Sequence, residues 1–515
     1  MKQLSDSKNI EIGVLLSYIA LGVSIVGSLF VTNRVLNYIG DYNYGLYSFV
    51  NSITSWLTIV SSALTASFLR FTTVEAQNNN GDVSKTNTIY LKLLIILGVC
   101  IVPLGLGVLS VLYFSHTSIG AYSWGDSKLM FCLFALSIIN IGLTMPPMIF
   151  SIYINYKKKF VFGKIVSIIT SVINFSGHLF IAYFTRSIVF IAAFTIVVTV
   201  ATTIVNSFFC YNGLHIRFIK TTLRDNSILV KSIIAFSGIL LLNSIVDEIN
   251  TNVDKTLLGF FSIPEDVTKY QIAQELGLYL TAMSVAVSGV FAPSMHENVV
   301  KKDHDSLSNM FLKISKMQSI ILCCVAFGFL SCGKEFILWW LGEKRIASYY
   351  IGVVLMIVGL GPLTMNASIE IQRAMDMHRF RALIYFVFAV LNIFLSIIFL
   401  IIFDRRYAIY SCLAGTIISR IGSHWIAMNI YNSKKINLPI RKYLATLFLY
   451  MTIGTLCFCF IRIFDYLFIA NIPRHLLRFI TQGGIFVILY LTICFFLNKT
   501  TFMKLFIRVF RREKC

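Results

Sequence analysis

Long apolar runs recur along the whole chain, and this feature constrains its fold most strongly. Residues 91–114, "LKLLIILGVCIVPLGLGVLSVLYF", are one example. A helix of about 20 apolar residues spans the hydrocarbon layer of a membrane. The polar stretches between the runs are at most about 20 residues long, which is too short for a stretch to fold alone. The 515 residues, 57% hydrophobic and 13% charged, therefore predict an all-α polytopic membrane protein.

Hydropathy predicts about fourteen transmembrane helices. The polar N-terminal segment runs directly into the first of them without an A-x-A-like cleavage site, so this helix is expected to remain attached. The predicted spans cover approximately residues 12–36, 44–70, 88–114, 129–154, 161–184, 187–212, 230–260, 268–294, 309–332, 347–370, 380–403, 407–431, 443–467 and 474–497.

The basic residues are distributed unevenly between the two sets of loops. If the N-terminus is cytoplasmic, most of the 44 Lys and Arg residues fall in loops on the inner side, among them Lys158, Lys302, Arg381 and Lys435, as the positive-inside rule requires. Both termini are then cytoplasmic. The basic residues are spread over short loops and do not gather on one face. We therefore interpret the net charge of +21 as a topology signal, and nucleic acid is not an expected partner.

A weak internal repeat appears when the chain is compared with itself at an offset of about 220 residues. The segment from Thr144 to Phe160 aligns with the segment from Thr364 to Phe380. An even number of spans separates the copies, so two lobes of equal orientation are expected, with a substrate path between them. The predicted organisation is an N-terminal lobe at 1–212 (helices 1–6), a cytoplasmic connector at 213–231, a C-terminal lobe at 232–432 (helices 7–12), helices 13–14 at 433–497 and a basic cytoplasmic tail at 498–515.

The seventh predicted span carries charges that hydrocarbon would not tolerate. Its polar residues between 240 and 257 share about half of the helix circumference. Each charge left in hydrocarbon would cost about 2.5 kcal/mol or more, so we expect this face to line a water-filled cavity. An outer interface, or a structural pair between the lysine and an acid of another helix, is the alternative. The candidate cavity residues are Asp247, Glu248, Asp254 and Lys255.

Arg420 is the costliest single residue, because it lies near the middle of the twelfth predicted span. Thr416, Ser423 and His424 stand at helical spacing from it and predict a polar stripe. A guanidinium at this depth offers a fork of donors suited to a pyrophosphate or an acidic sugar. The competing interpretation is an ion pair with an acid such as Glu275.

Other spans contain shorter polar stripes. Gln271 and Glu275 lie on the eighth, and Asn174 and His178 on the fifth. A lone histidine is more often a packing residue than a proton carrier, so both interpretations of His178 stay open. Arg34, at the end of the first span, is either a cavity residue or an interfacial anchor. These five residues complete the candidate substrate cavity.

The motifs of common enzymes are missing from the sequence. It has no G-x-x-x-x-G-K-[ST] loop, no G-x-S-x-G, and no second histidine for a zinc protease motif at "HENVV". The 11 cysteines are scattered through apolar runs without a C-x-x-C, which argues against a metal or redox site. An enzyme is therefore not expected, and no bound cofactor or metal is predicted.

Three segments resemble the polysaccharide flippases of the multidrug/oligosaccharidyl-lipid/polysaccharide exporter superfamily. They are "NRVLNYIGDYNYGLYSF" at 33–49, "FLRFTTVEAQNNNGD" at 68–82 and "NVDKTLLGFFSIPEDVTKYQIAQEL" at 252–276. The likeness extends over the fourteen-helix layout. One departure is "LNYIGD", where a Leu-Gly-Pro turn is usual in the family.

The resemblance implies that the protein moves a polyprenyl-pyrophosphate-linked oligosaccharide from the inner to the outer leaflet of a bacterial cytoplasmic membrane. Capsule, O-antigen or exopolysaccharide synthesis would use such a step, and a polysaccharide polymerase is a candidate partner. The uncompensated acids of the seventh span suggest a proton or sodium gradient as the energy source. The alternatives are a cation-coupled multidrug antiporter, a lipid II flippase and, less favoured, a membrane-embedded polymerase or glycosyltransferase.

Overall fold

The chain is helical throughout its long segments. The computed structural model describes residues 6–78, 81–114, 124–300, 303–375, 377–469 and 474–497. These residues form α1 (Asp6–Thr54), α2 (Ile59–Asn78), α3 (Ser84–Phe114), α4 (Trp124–Thr144), α5 (Met148–Tyr156), α6 (Phe160–Thr185), α7 (Ile188–Phe208), α8 (Ser227–Phe261), α9 (Pro264–Val300), α10 (His304–Trp340), α11 (Ala347–Thr364), α12 (Asn366–Ala374), α13 (His378–Ile402), α14 (Ala408–Arg420), α15 (Met428–Lys435), α16 (Ile440–Phe464) and α17 (His475–Leu497).

These helices correspond to the fourteen predicted spans, four of which are interrupted: the end of α1 with α2, α4 with α5, α11 with α12, and α14 with α15. Within the described residues, ten helical segments are long and apolar enough to cross a membrane, or eleven if the bent pair α4–α5 counts as one span. The run Leu16–Asn78 counts once although it holds two predicted spans. The prediction of an all-α polytopic membrane protein is confirmed. The predicted basic tail, 498–515, lies outside the described residues.

The first two spans are separated by a single glycine. Helix α1 continues from one span into the next, and only Gly40 leaves the helical conformation, with φ 82° and ψ 159°. A positive φ is accessible to glycine without a steric penalty, because glycine has no Cβ. The "IGD" sequence at the departure from the family pattern therefore supplies the turn between the spans.

Two helices are broken at corresponding positions of the predicted repeat. In the first copy, α4 ends at Thr144 and the nine-residue α5 follows at a bend of 43°. In the second copy, α11 ends at Thr364 and the nine-residue α12 follows after Met365. Pro146 and Pro147 explain the first break, because proline has no amide hydrogen with which to continue the helix. In both copies of the predicted repeat, a nine-residue helix follows the break.

The chain divides into two compact units. The first comprises Met1–Gln271 and Tyr385–Thr416, and the second comprises Ile272–Ile384 and Ile417–Cys515. Each unit thus takes residues from the C-terminal lobe predicted at 232–432. The lobes were inferred from repeat symmetry, which is a different criterion from compactness, so the lobe boundaries stay a prediction.

The connector predicted at 213–231 is shorter than expected and is attached to the first unit. Helix α8 already begins at Ser227. The amide of Ile219 donates to Thr88 Oγ1 at 2.9 Å, and the ammonium of Lys92 donates to the carbonyl of Thr221. These hydrogen bonds hold the non-helical segment against the first turns of α3.

Two of the family-like segments pack directly against each other in the first unit. A Cβ added at Gly45 would overlap the carbonyl of Pro264, and one added at Gly259 would overlap the ring of Phe49. Next to this contact, Thr268 Oγ1 donates to the carbonyl of Asp41 at 2.7 Å. The two glycines therefore allow α1 to approach the α8–α9 corner closely.

Candidate functional site

In the middle of helix α8, apolar side chains are buried and polar side chains are more exposed. Val246 and Ile249 are buried, whereas Asp247 is exposed. Glu248 is half-buried; its carboxylate accepts a hydrogen bond from Ser55 and another from Asn252 Nδ2 at 2.6 Å. The apolar half of α8 thus packs inside the first unit, and its middle presents two acids in different environments.

One turn beyond Asn250, the next two charges of α8 lie in the interior. Asp254 and Lys255 are each only 7% exposed. Asp254 Oδ2 accepts from the hydroxyl of Tyr270 and from Thr416 Oγ1 at 2.6 Å. Lys255 Nζ donates to Gln271 Oε1 at 2.8 Å. Of the predicted cavity residues, Lys255 and Gln271 are therefore in direct contact.

The environment of Asp254 is rich in oxygen atoms from α13 and α14. Asn392 Nδ2 donates to Thr416 Oγ1 at 3.2 Å, and Ser396 Oγ contacts Asn392 Oδ1 at 3.3 Å and the carbonyl of Cys412 at 3.4 Å. Sequence reasoning missed Asn392 and Ser396. The available signal was their spacing of four residues in an otherwise apolar helix, which puts both on one face.

We call Asp254, Tyr270, Asn392, Ser396 and Thr416 the oxygen cluster. Its only carboxylate is that of Asp254, and the described residues hold no group of three His, Cys, Asp or Glu side chains suited to a metal ion. Neutral oxygens with one carboxylate match a proton or a monovalent hard cation better than a multiply charged ion.

Asn174 and His178 lie on another side of the first unit, one helical turn apart on α6. Both are half-buried. A ring nitrogen of His178 is 3.2 Å from Thr195 Oγ1 of α7. Asn174 lines a cavity of about 230 Å³ together with threonines of α6 and α7. Arg34, also in this unit, is exposed on α1.

Arg420 belongs to the second unit and is half-buried at the last residue of α14. A π-helix over Ile421–Ala427 follows directly, so the regular α-helical spacing assumed for Ser423 and His424 does not hold beyond Arg420. A π-helix has a wider turn, which rotates the following side chains relative to those before it. Ser423 Oγ donates to the carbonyl of Ser419 at 2.7 Å.

A second buried arginine accompanies Arg420 in this unit. Arg381, near the start of α13, is 7% exposed. Arg381 and Arg420 are both close enough to His424 to act on its ring electrostatically. Sequence reasoning counted Arg381 among the loop charges and missed it. Glu275, the acid considered as a partner of Arg420, is half-buried on α9.

The second unit also contains a charged cluster near the place where α10 ends at Trp340, α16 ends at Phe464 and α17 begins at His475. Glu335 accepts from His475 Nδ1 at 2.6 Å and lies 3.5 Å from Arg478, which donates to Asp465 at 3.2 Å. Each acid has a basic neighbour. The cluster therefore fastens α17 to the rest of the unit and is not a candidate transport site.

The architecture places the chain in a known structural class. It is similar to the lipid II flippase MurJ in an inward closed conformation, with a TM-score of 0.71, 15% sequence identity, and coverage of 95% of this chain and 100% of that one. A MATE protein crystallised in complex with MaD3S has a TM-score of 0.52 at 13% identity, with 82% of this chain and 96% of that one covered. The fold is that of the multidrug/oligosaccharidyl-lipid/polysaccharide exporter superfamily.

The family follows from sequence. A model described as "Polysaccharide biosynthesis protein" matches residues 43–349, which is more than half of the chain. The chain therefore belongs to this polysaccharide biosynthesis protein family and is a multi-pass membrane protein with the fold of the superfamily. A comparison with curated proteins found no match.

Proposed function

We propose that the protein moves a polyprenyl-pyrophosphate-linked oligosaccharide from the inner to the outer leaflet of the bacterial cytoplasmic membrane. Membership of a polysaccharide biosynthesis family is the observation that carries this proposal. Sugars and pyrophosphate cannot cross hydrocarbon, whereas a polyprenyl chain can remain in it. The transporter then needs only a polar, partly cationic cavity with alternating access. The product would serve capsule, O-antigen or exopolysaccharide synthesis, with a polymerase as the candidate partner.

Arg420 and Arg381 are the proposed contacts for the pyrophosphate. Two guanidinium groups that both act on His424 concentrate positive charge within one part of the second unit. A guanidinium binds phosphate oxygens through two parallel hydrogen bonds and keeps its charge at any physiological pH. Arg34, Asp247, Glu275 and Gln271 are proposed as further polar contacts along the substrate path.

The proposed energy source is a proton or sodium gradient, used through acids of α8. Asp254 is the favoured coupling residue, because its carboxylate is buried and accepts hydrogen bonds from two neutral hydroxyls, which tolerate protonation or a bound cation. Glu248 is a second coupling acid, since the partners of its carboxylate among the described residues, Ser55 and Asn252, are neutral.

The substitution Arg420→Ala tests the proposal. In vesicles that contain the purified protein and a lipid-linked oligosaccharide, it should abolish transfer between leaflets while the protein remains folded and inserted. Arg420→Lys should retain partial transfer if charge alone matters, and little if the bidentate fork does. Arg406→Ala is the control, because Arg406 is exposed in the turn after α13.

Full transfer by a well-folded Arg420→Ala protein would contradict the proposed role. Loss of folding would instead favour the ion pair with an acid, because removing one partner strands the other in the interior. Lipid II and a cationic drug, tested in the same vesicles, distinguish the two alternative functions. Transport of either one in preference to the oligosaccharide would replace the proposal.

A further inference from the structure

The first unit contains two cavities that are stacked along the same helices. The cavity nearer the connector end of α7, which we call the lower cavity, has a volume of about 230 Å³ and is lined by α4, α5, α6 and α7. The upper cavity, of about 250 Å³, is lined by α1, the turn Ser55–Thr58, α4 and α7. Helix α4 contributes Asn140 to the upper cavity and Thr144 to the lower one. Four residues along a helix correspond to about 6 Å, so the cavities are one helical turn apart.

The lining of both cavities carries no charged side chain and mixes amide and hydroxyl groups with apolar side chains. Amide and hydroxyl groups contribute to the lower cavity, where Thr170 Oγ1 and Thr202 Oγ1 are 3.1 Å apart. Asn174 Oδ1 in the lower cavity and Asn140 Oδ1 in the upper one are buried, and neither accepts a hydrogen bond from the described residues. A buried amide oxygen without a donor is costly, and a polar cavity of this size has room for several water molecules of about 30 Å³ each.

His178 stands between the two cavities. It lies one turn above Asn174, which lines the lower cavity, and contacts Thr195, which lines the upper one. An imidazole has one donor and one acceptor nitrogen when neutral, so it can bond to a partner on each side. A polar contact thus bridges the protein layer between the cavities.

The upper cavity leads to a carboxylate. Ser55 lines this cavity and donates its hydroxyl hydrogen to Glu248. The lower cavity extends in the other direction to Asn206, two residues before the end of α7. Asn206 and Thr195 are separated along α7 by about 16 Å, at 1.5 Å per residue. The stack therefore covers about half of a membrane thickness, from the connector end of α7 to the middle of α8.

We propose that the two cavities form a water-filled half-channel through which protons reach Glu248. A proton arriving on the water of the upper cavity is taken up by the Ser55 hydroxyl, which passes its own hydrogen to the carboxylate. The carboxylate becomes a neutral carboxylic acid, and the reverse transfer releases the proton. This inference rests on the gradient coupling proposed above, and it names the route of the ion and the end of the molecule at which this route opens.

Radical footprinting tests the presence of water without any transport. Hydroxyl radicals generated from water oxidise nearby methionine and tyrosine side chains. In lipid nanodiscs, Met148 of the lower cavity and Tyr47 of the upper one should be oxidised. Met451, which is half-buried on the apolar α16, and the fully buried Tyr90 are the matched controls. Oxidation of Met148 and Tyr47 at the rates of their controls would overturn the water pathway.

Filling the lower cavity tests proton delivery. Thr199 lines it, and Thr199→Leu replaces a hydroxyl by a larger apolar group. We expect the loss of the gradient-driven stimulation of transfer, with the rate in the absence of a gradient unchanged. Thr199→Val, which removes the hydroxyl at nearly constant volume, should give a partial loss even if the leucine variant misfolds. Thr452→Leu is the control, because Thr452 is exposed on α16.

The outcomes separate this inference from the proposed function. If the unaltered protein transfers substrate and Thr199→Leu keeps the full stimulation, or if no gradient ever stimulates transfer, proton delivery through the cavities is wrong and the flippase proposal stands. If the unaltered protein transfers no oligosaccharide, the flippase proposal fails, and footprinting still decides whether the half-channel holds water.

Discussion

At the scale of single residues, burial distinguishes acids that look alike in sequence. Asp247 and Asp254 are seven residues apart on α8, yet Asp247 is exposed and Asp254 is only 7% exposed. The carboxylate of Asp254 is stabilised by hydroxyl donors from two other helices, Tyr270 and Thr416. The charge of this carboxylate bears on ion coupling, and its hydrogen bonds bear on stability. Mutation can remove the charge while it keeps a hydrogen-bond acceptor.

The substitution Asp254→Asn should preserve folding and weaken the dependence of transfer on an ion gradient. The amide oxygen of asparagine can still accept from Tyr270 and Thr416, whereas the titratable charge is gone. Asp254→Ala leaves both donors without that acceptor and should lower the free energy of unfolding by roughly 1–3 kcal/mol for each donor that stays unsatisfied. Thermal unfolding in detergent and gradient-driven transfer are the two measurements. Equal gradient dependence in Asp254→Asn and the unaltered protein would remove Asp254 from the coupling mechanism.

At the scale of elements, the family-like segments are explained by close packing. The Tyr-Gly-Leu-Tyr sequence near the C-terminal end of α1 contains Gly45, where any side chain would overlap the carbonyl of Pro264 at the start of α9. The carbonyl is backbone and cannot move as a flexible side chain does. The glycine thus fixes how near α1 lies to the α8–α9 corner that follows the charged pair Asp254 and Lys255.

Replacing Gly45 by alanine should destabilise the protein, because the added methyl group forces α1 and α9 apart. Overpacking of this kind costs about 1–3 kcal/mol in the free energy of unfolding. Gly22→Ala is the control: Gly22 lies in the same helix, and a Cβ there would meet nothing within 4 Å. That change should be neutral or stabilising by up to about 1 kcal/mol, since alanine favours helix over glycine. Equal melting temperatures of the two variants would contradict the packing explanation.

At the scale of the whole molecule, the orientation in the membrane rests on the distribution of charge. The positive-inside rule places both termini in the cytoplasm, and the opening of the half-channel at Asn206 would then face the cytoplasm. Probe positions for this orientation need exposed side chains. Lys158 and Lys435 are exposed at helix ends, whereas Asp266 is bonded to Ser262 and Lys269.

Single cysteines should report the orientation in intact cells treated with a membrane-impermeant thiol reagent. Cysteines at Lys158 and Lys435 are expected to be protected, and a cysteine at Ile263, which is 43% exposed beside Asp266, is expected to react. The unaltered protein measures background labelling of the native cysteines, and permeabilised cells show that the protected positions are reactive. Labelling of Lys158 and Lys435 from outside would reverse the topology. The position Lys302, which the loop charges also place inside, lies outside the described residues.

The sequence by itself determined the class of protein and the layout of its helices. Apolar runs and loop charges are local properties of the chain, because a span must satisfy its own backbone hydrogen bonds in lipid whatever its neighbours are. The break at Thr144 was also legible in the sequence, since prolines follow it directly. These features needed no knowledge of which helices touch.

Only the tertiary structure decided which polar residues belong together. Thr416 was grouped with Arg420 by helical spacing, but it donates to Asp254, 162 residues away in the chain. A π-helix after Arg420 changed the spacing on which that grouping relied. Arg381 looked like a loop charge, and it is buried. Burial and hydrogen bonding depend on atoms contributed by distant segments. A single sequence does not show which distant segments pack together, so it does not show which polar residues are buried or bonded to each other.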